Sequence, residues 1–281
     1  MPEKILPRHF IRAKKEGKKI VMVTAYDYIQ ASIADEAGVD GILVGDSLGM
    51  VIMGFKTTLP VTLDMIKHHL RAVLNAAPKA LVVADMPFLS YEISKEEAVR
   101  NAGEMIKMGA DAVKVEGGSE IIDKVEAMIR AGIPVMGHIG LNPQRQMIYG
   151  LKLRGSTADD AKKIIEDARA LEEAGVFSIV IEFTTAEVAS EITKILKIPT
   201  ICIGSGVECD GQILVFHDLV GLTPSPPPFA RKYADTREIF FNALKRYVLD
   251  VREGRFPSEK EFFRMPPEEY ARFKKYMSGN S

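Results

Sequence analysis

Eight short apolar runs recur along the chain, and their spacing constrains the fold more than any other feature of the sequence. They alternate with amphipathic stretches of helical length, in which apolar residues lie three and four positions apart. Because the runs are apolar at successive positions, they are typical of parallel strands covered by helices on both faces. The runs occupy residues 19–25, 41–47, 80–87, 111–118, 133–140, 177–183, 199–206 and, more weakly, 212–218.

Eight such units within residues 1–222 predict a closed (β/α)8 TIM barrel, an α/β fold. An open doubly wound sheet is the alternative, since the eighth run is weak. The segment PRHFIRAKKEGKK predicts a short helix beneath the barrel. Residues 223–281 begin with TPSPPPF, whose prolines exclude helix and central strand. We expect these residues to form a C-terminal helical extension of a single-domain protein, with the apolar stripe of 238–251 packed on the barrel or on a neighbouring subunit.

The charge pattern excludes several classes of partner. The 37 basic and 38 acidic residues are interspersed, so no broad field of one sign is available for nucleic acid or an anionic membrane surface. No stretch approaches the roughly 18 apolar residues of a membrane span, and no apolar secretory signal is present. We therefore expect a cytoplasmic protein that acts on small molecules. Cys202 and Cys209 have neither a CxxC pattern nor a histidine at zinc-finger spacing, so we expect both to be reduced.

Polar or ionisable side chains stand at the ends of the first six runs. In a parallel barrel the carboxyl ends of all strands open at one mouth, so these side chains are expected to converge on one pocket. Lys114 and Glu116 are two residues apart, which places both on one face of a strand. Asp27 is better explained as the N-cap of the next helix. The strand-end residues are Tyr26, Asp27, Asp46, Ser47, Asp85, Lys114, Glu116, His138 and Glu182.

Three of these carboxylates, Asp46, Asp85 and Glu116, are next to apolar strand residues, and their clustering at one mouth indicates a bound cation. Oxygen ligands without a cysteine–histidine cluster favour Mg²⁺ or a similar octahedral ion. Such an ion keeps positions open for the carboxylate and ketone oxygens of a 2-oxo acid, whose enolate a Lewis acid stabilises. The pattern therefore predicts carbon–carbon bond formation beside a carbonyl group.

Two further residues complete this hypothesis. Glu182 is a separate carboxylate that can stay off the metal and take the α-proton of the oxo acid. Lys114 can pair with the substrate carboxylate or stabilise developing negative charge. A lysine at this position can instead form a Schiff base with the substrate, so a Schiff-base aldolase stays open. A barrel that serves only as a binding module is the alternative from another class.

The motifs around these residues resemble those of the ketopantoate hydroxymethyltransferase family, over almost the whole chain and in the family's order and spacing. Two loops depart from the family pattern, namely GLKLRG at 150–155 and CIGSG at 202–206. The glycines of CIGSG indicate tight packing or close ligand approach, and a phosphate site after the seventh strand is the alternative. The matching motifs are TAYD (24–27), LVGDSLGM (43–50), TLPVT (58–62), ADMPF (84–88), VKVEGG (113–118), GHIGLNPQ (137–144), DGQILVFHD (210–218), RKYAD (231–235) and FPSEKEF (256–262).

The resemblance implies a (β/α)8 barrel that adds a one-carbon unit to 3-methyl-2-oxobutanoate in pantothenate synthesis. The implied one-carbon donor is 5,10-methylenetetrahydrofolate. Members of the family are homo-oligomers, and the resemblance implies a decamer.

The resemblance also assigns roles to the strand-end residues. Acids matching Asp46 and Asp85 bind Mg²⁺ and, through it, the oxo acid, while Glu116 completes the surroundings of the metal. Glu182 matches the proton acceptor of the family. Ser47, Lys114 and His138 match positions at the oxo acid. For His138, a hydrogen bond inside the barrel is the alternative role.

Overall fold

The structure is a computed structural model that describes residues 3–279. Eight parallel strands form a closed barrel in which each strand pairs with the next in chain order and the eighth pairs with the first. The predicted (β/α)8 barrel is thereby confirmed, and the open sheet is excluded. The strands are β1 (Ile20–Thr24), β2 (Gly41–Val44), β3 (Leu81–Asp85), β4 (Ala112–Glu116), β5 (Val135–Gly140), β6 (Ser178–Glu182), β7 (Thr200–Ile203) and β8 (Gly211–Leu214).

Helices cover the outside of the barrel and close its amino-terminal end. The first helix lies beneath the barrel, as predicted, because its buried Phe10 packs edge-on against Phe177 with ring centroids 6.0 Å apart. Asp27 accepts a hydrogen bond from the amide of Gln30, which confirms its interpretation as an N-cap. The helices are α1 (Pro7–Lys15), α2 (Tyr28–Glu36), α3 (Leu48–Val51), α4 (Leu63–Asn75), α5 (Lys95–Met108), α6 (Ile122–Arg130), α7 (Gln146–Tyr149), α8 (Ala158–Ala174), α9 (Ala186–Ile195) and α10 (Phe216–Leu219), with 3₁₀ turns at Ser119–Ile121 and Pro143–Arg145.

Strand side chains alternate between two apolar layers. Those that point inwards fill the barrel, and those that point outwards pack against the helices. In β4, Val113 and Val115 belong to the outer layer, whereas Ala112 belongs to the inner layer. The same alternation places Lys114 and Glu116 inside the barrel, towards the carboxyl end of the strand.

The connection between β7 and β8 differs from the other strand connections, because residues 204–210, all within the described range, contain no helix. A disulfide joins Cys202 to Cys209, which are seven positions apart in the chain, with their Cα atoms 5.9 Å apart. The expectation of two reduced cysteines is therefore wrong. The predicted tight packing is present at Gly204, where an added Cβ would lie 2.7 Å from the ring of Phe229.

Gly211 lies where the barrel closes and leaves no room for a side chain. An added Cβ would lie 2.4 Å from the carbonyl oxygen of Ile20, on the strand with which Gly211 pairs. We therefore expect Gly211→Ala to lower the free energy of unfolding by roughly 1–3 kcal/mol through overpacking. Differential scanning calorimetry measures the change in melting temperature. Gly103→Ala in α5 is the control, because a Cβ there meets nothing within 4 Å. Equal melting temperatures for the two variants would contradict this account.

The chain divides after Tyr233 into two compact units. The second unit contains helices α11 (Thr236–Arg252) and α12 (Pro267–Met277). Helix α11 includes the apolar stripe of 238–251, whose helical conformation is confirmed. The boundary at residue 222 and the packing of the extension stay predictions. Among the described residues, no helix combines the length and the apolar character that crossing a bilayer requires.

Candidate active site

A cavity of about 590 Å³ opens at the carboxyl ends of the strands. This volume is typical of small-molecule sites, which span about 300–1,000 Å³. All eight strands contribute to its wall, through Thr24, Leu43, Asp85, Lys114, His138, Glu182, Ile203 and Ile213. The structure also brings together all seven candidate residues at this cavity: Asp46, Ser47, Asp85, Lys114, Glu116, His138 and Glu182.

The register of the strands places ionisable side chains next to one another. Asp85 of β3 is the register partner of Lys114 of β4, and Glu116 of β4 is the register partner of His138 of β5. Partners in adjacent parallel strands point to the same face of the sheet, so these side chains share the barrel interior. The inward-facing residues of β7 and β8 at the cavity are isoleucines instead. The cavity therefore has a polar side and an apolar side.

Lys114 lies between two buried carboxylates. Its Nζ is 2.6 Å from Oδ1 of Asp85 and 3.3 Å from Oε1 of Glu116, and all three residues are at most 3% exposed. Burial would lower the pKa of Lys114, but Asp85 and Glu116 raise it above its ordinary value. The amine is therefore held as an ammonium ion, a form that pairs with anions and cannot attack a carbonyl carbon.

Gln144 contacts two of the carboxylates and Tyr91 holds the backbone of Glu116, and the sequence predicted neither residue. Nε2 of Gln144 donates to Oδ2 of Asp46 at 2.9 Å, and its backbone amide donates to Oε2 of Glu116 at 3.1 Å. The Tyr91 hydroxyl accepts from the Glu116 amide at 3.1 Å and lies 2.8 Å from the Glu116 carbonyl oxygen. The sequence offers one signal for Gln144, its position in the GHIGLNPQ motif, and none for Tyr91.

His138 lies between two carboxylates of different exposure. Its Nδ1 is 3.2 Å from Oε1 of Glu116, and its Nε2 is 3.1 Å from Oε2 of Glu182. Both are ionic contacts without hydrogen-bond geometry. Burial would lower the pKa of His138, but the two glutamates raise it to about 9, so the ring is a cation at neutral pH. The Glu182 side chain is 18% exposed, against 1% for Glu116, and is the more accessible from the cavity.

The side chains joined by these contacts carry more negative than positive charge. Burial and the neighbouring Asp85 and Glu116 raise the pKa of Asp46 well above its ordinary value. Burial also raises the pKa of Asp85, although Lys114 opposes the shift. Burial would raise the pKa of Glu116 as well, but Lys114 and His138 hold it at about 2. The two aspartates therefore lack a full complement of positive charge, which a divalent cation can supply.

The carboxylate oxygens are ligands of the type that hard divalent cations prefer, although in this structure they contact Lys114, His138 and Gln144. Within residues 3–279, no three or more His, Cys, Asp or Glu side chains are arranged as a metal site. The physical reason is that Lys114 lies between Asp85 and Glu116, while Gln144 contacts Asp46. The aspartates are nevertheless adjacent, because the Asp46 amide donates to Oδ2 of Asp85 at 3.0 Å. Buried oxygen donors with surplus negative charge are the donor set that Mg²⁺ prefers.

Local backbone features place the last two candidate residues. Ser47 directly precedes α3, and its Oγ lies 2.8 Å from the hydroxyl of Tyr26. Glu182 ends β6 and is followed by Phe183, whose φ of 41° is uncommon for a residue other than glycine. Strained residues of this kind concentrate at functional sites, so this turn is consistent with a functional constraint beside Glu182.

Comparison with known sequences gives matches along most of the chain. The sequence model of the ketopantoate hydroxymethyltransferase family matches residues 4–259. A protein of Staphylothermus marinus named 3-methyl-2-oxobutanoate hydroxymethyltransferase is 60% identical over 262 residues, which cover 93% of this chain and 96% of that protein. A protein of the same name from Hyperthermus butylicus is 56% identical over 277 residues, with 98% and 96% covered.

Solved structures of similar fold are more distant in sequence. A 2,3-dimethylmalate lyase, described as a PEP mutase/isocitrate lyase superfamily member, has a TM-score of 0.60 at 17% identity, with 99% of each chain covered. A phosphonopyruvate hydrolase, solved in complex with oxalate and Mg²⁺, has a TM-score of 0.60 at 15% identity, with 96% of this chain and 98% of that chain covered. At these identities the similarity shows the shared fold alone.

Proposed function

The chain belongs to the ketopantoate hydroxymethyltransferase family, and on that premise we propose that it transfers a hydroxymethyl group from 5,10-methylenetetrahydrofolate to 3-methyl-2-oxobutanoate. The product is 2-dehydropantoate, the ketopantoate of pantothenate synthesis. The observation that carries the proposal is the convergence of buried carboxylates and one lysine at the polar side of a barrel cavity, with Glu182 accessible beside them. This arrangement suits an anionic 2-oxo acid that must lose a proton.

The oxo acid binds at the polar side of the cavity in this proposal. Lys114 and His138 are the cations that attract its carboxylate, and the Ser47 hydroxyl is a further polar contact. The isoleucines of β7 and β8 offer an apolar surface for its branched alkyl group. The polar groups orient the substrate, and the apolar wall excludes water from the reacting carbon.

Asp46 and Asp85 are the residues proposed to hold Mg²⁺, with Glu116 completing its surroundings. Their burial and the surplus of negative charge support this assignment. When bound, a divalent cation supplies Lewis acidity to the ketone oxygen of the substrate. The carboxylates therefore serve to place that charge beside the oxo acid.

Glu182 is proposed to accept the proton from C3 of the oxo acid. The contact with Nε2 of His138 holds the Glu182 carboxylate at the cavity wall, and Lys114 opposes the negative charge that develops on the substrate. C3 then forms a bond to the one-carbon unit of the carrier. Water supplies the hydroxyl group of the product, and the carrier leaves as tetrahydrofolate.

A Schiff-base aldolase is the second candidate, because a buried lysine faces the cavity. The two carboxylates around Lys114 disfavour it, since they keep the amine protonated. We expect EDTA to abolish turnover and borohydride to leave no adduct on Lys114 in the presence of the oxo acid. Activity assays and peptide mass spectrometry measure these outcomes. Full activity in EDTA together with a reduced adduct would establish the Schiff-base mechanism instead.

The test of the proposed function is an assay with purified protein, Mg²⁺, 3-methyl-2-oxobutanoate and 5,10-methylenetetrahydrofolate. We expect 2-dehydropantoate to accumulate, with none formed when either substrate is omitted. A non-catalytic binding barrel would give no product under any of these conditions.

We further propose a homo-oligomer, a decamer in particular, located in the cytoplasm. Both statements rest on the family resemblance. The apolar stripe on α11 supports a role of the second unit in assembly, because it presents many apolar side chains on one helix. Analytical ultracentrifugation measures the subunit number.

A further inference from the structure

A second group of polar side chains lines the same cavity and has no role in the reaction as proposed above. Four of its buried polar atoms lack a hydrogen-bond partner in the described part of the chain: Thr58 Oγ1, His217 Nδ1, Asp218 Oδ1 and Thr223 Oγ1. A buried polar group without a partner is costly in free energy, so such groups are rare and call for an explanation. Thr223 and His217 lie beside Asp218 and lower its pKa, so three of these four side chains form one group. Their lack of hydrogen-bond geometry at the cavity indicates a ligand that supplies partners.

The barrel holds this group in a fixed position. Asp218 and His217 lie in α10, directly after β8, and the amide of Phe216 donates to Oγ1 of Thr24 on β1 at 3.0 Å. The ring of His217 packs against the ring of Tyr26, with centroids 5.6 Å apart. Asp218 is 5% exposed and His217 is 9% exposed. The site is therefore built into the mouth of the barrel and is not a feature of a free surface.

The charge of this wall argues against the oxo acid as its ligand. Asp218 adds a carboxylate, which repels a carboxylate ligand, and its basic neighbour His217 has a pKa that burial lowers, which disfavours the charged form of the ring. Burial raises the pKa of Asp218, so a ligand that donates N–H groups would stabilise its anionic form. The two polar walls of the cavity therefore differ in the ligand that they suit.

The rest of the cavity suits a flat ring. Phe183 and Phe229 both line it, with ring centroids 5.3 Å apart, and prolines 224 and 226–228 form part of the same wall. Aromatic and proline side chains offer flat apolar surfaces on which a heterocycle can pack. A ligand that fits the site thus combines a flat ring with adjacent hydrogen-bond donors at one edge.

We infer that Asp218 binds the 2-amino-4-oxopyrimidine edge of a reduced pterin, the ring system of the one-carbon carrier. The ring N–H and the 2-amino group of that edge lie side by side and match the two oxygens of a carboxylate, as a guanidinium does. Thr58, His217 and Thr223 supply further polar contacts to the same ring. This inference rests on the proposed function. It assigns the pterin ring to the residues that follow β8, and it leaves the polar groups of the oxo acid with the residues from the end of β2 to the end of β6.

The test compares Asp218→Asn with wild-type protein and with Asp159→Asn, an exposed aspartate in the first turn of α8. We expect the KM for 5,10-methylenetetrahydrofolate to rise about 10–100-fold in Asp218→Asn, since a hydrogen bond to a charged group is lost. Asp159→Asn should match wild type. Calorimetric titration with 6-methyltetrahydropterin, which has the ring without the folate arm, should show the same loss of affinity. A loss confined to tetrahydrofolate would overturn the assignment, because it would place Asp218 at the arm.

The exchange of the C3 proton of the oxo acid with solvent separates this inference from the proposed function. Exchange without carrier needs only the oxo-acid site, so Asp218→Asn should retain it within about twofold. An unchanged carrier KM with retained exchange would overturn the pterin site alone. Absence of exchange in wild-type protein would instead refute the proposed function. If Asp218→Asn does not fold, Thr223→Val serves as the second variant, and an unchanged carrier KM in that variant counts against the site.

Discussion

Glu182→Gln is expected to abolish removal of the C3 proton while the oxo acid still binds. Glutamine keeps the size of the side chain but cannot accept a proton, and a general base contributes about 10²–10⁴-fold to the rate. Lys114, Asp85 and Glu116 keep their mutual contacts, because the ion pairs that join them do not involve Glu182, whose ionic contact is with His138. The substitution therefore separates binding from chemistry.

Proton NMR in D₂O measures this separation directly. We expect the C3 proton signal of 3-methyl-2-oxobutanoate to be lost with wild-type protein and to persist with Glu182→Gln. Glu187→Gln, at an exposed position in the first turn of α9, is the matched control and should exchange as wild type does. Exchange at the wild-type rate in Glu182→Gln would show that another group is the base.

Asp85→Ala is expected to have the second large effect, on both metal affinity and stability. It removes one proposed ligand of Mg²⁺, and even loss of a group behind a ligand typically costs 10–100-fold in affinity, so we expect at least about 100-fold. It also removes the partner 2.6 Å from Lys114, and breaking a buried ion pair costs about 3–5 kcal/mol. Asp85 is therefore expected to contribute both to metal binding and to the stability of the folded protein.

Isothermal titration with Mg²⁺ and thermal unfolding measure the two effects. Asp85→Asn keeps the shape of the side chain, so it should lose metal affinity with a smaller loss of stability. Asp64→Asn, whose side chain is 93% exposed, is the control and should leave both quantities unchanged. Wild-type Mg²⁺ affinity in a folded Asp85→Ala protein would remove Asp85 from the set of metal ligands.

The sequence predicted the features that depend on the regular repeat of apolar residues along strands and helices. Lys114 and Glu116 alternate with Val113 and Val115, so their inward direction follows once β4 is recognised as a strand. The carboxyl ends of parallel strands meet, so Asp85 could be expected at the same mouth. Local patterns of two and three to four residues therefore determined both the barrel and the polar side of its cavity.

The features that the sequence did not predict depend on loops and on the exact end of a strand. Tyr91 reaches the site from a loop and Gln144 from a single 3₁₀ turn, and neither segment has a repeating pattern that fixes the direction of a side chain. The eighth apolar run predicts a strand over 212–218, whereas β8 ends at Leu214 and α10 begins at Phe216. Because residues 216–219 are helical and not part of the strand, Asp218 lies at the cavity. The disulfide likewise depends on a strand connection that lacks a helix.

The central claim is that one buried group of carboxylates places a 2-oxo acid beside Glu182. The measurement that tests it most directly is a crystal structure with Mg²⁺ and 3-methyl-2-oxobutanoate. We expect the cation at Asp46 and Asp85, the oxo acid bound to it, and C3 facing the carboxylate of Glu182. An oxo acid bound elsewhere, or one whose C3 points away from Glu182, would contradict the account.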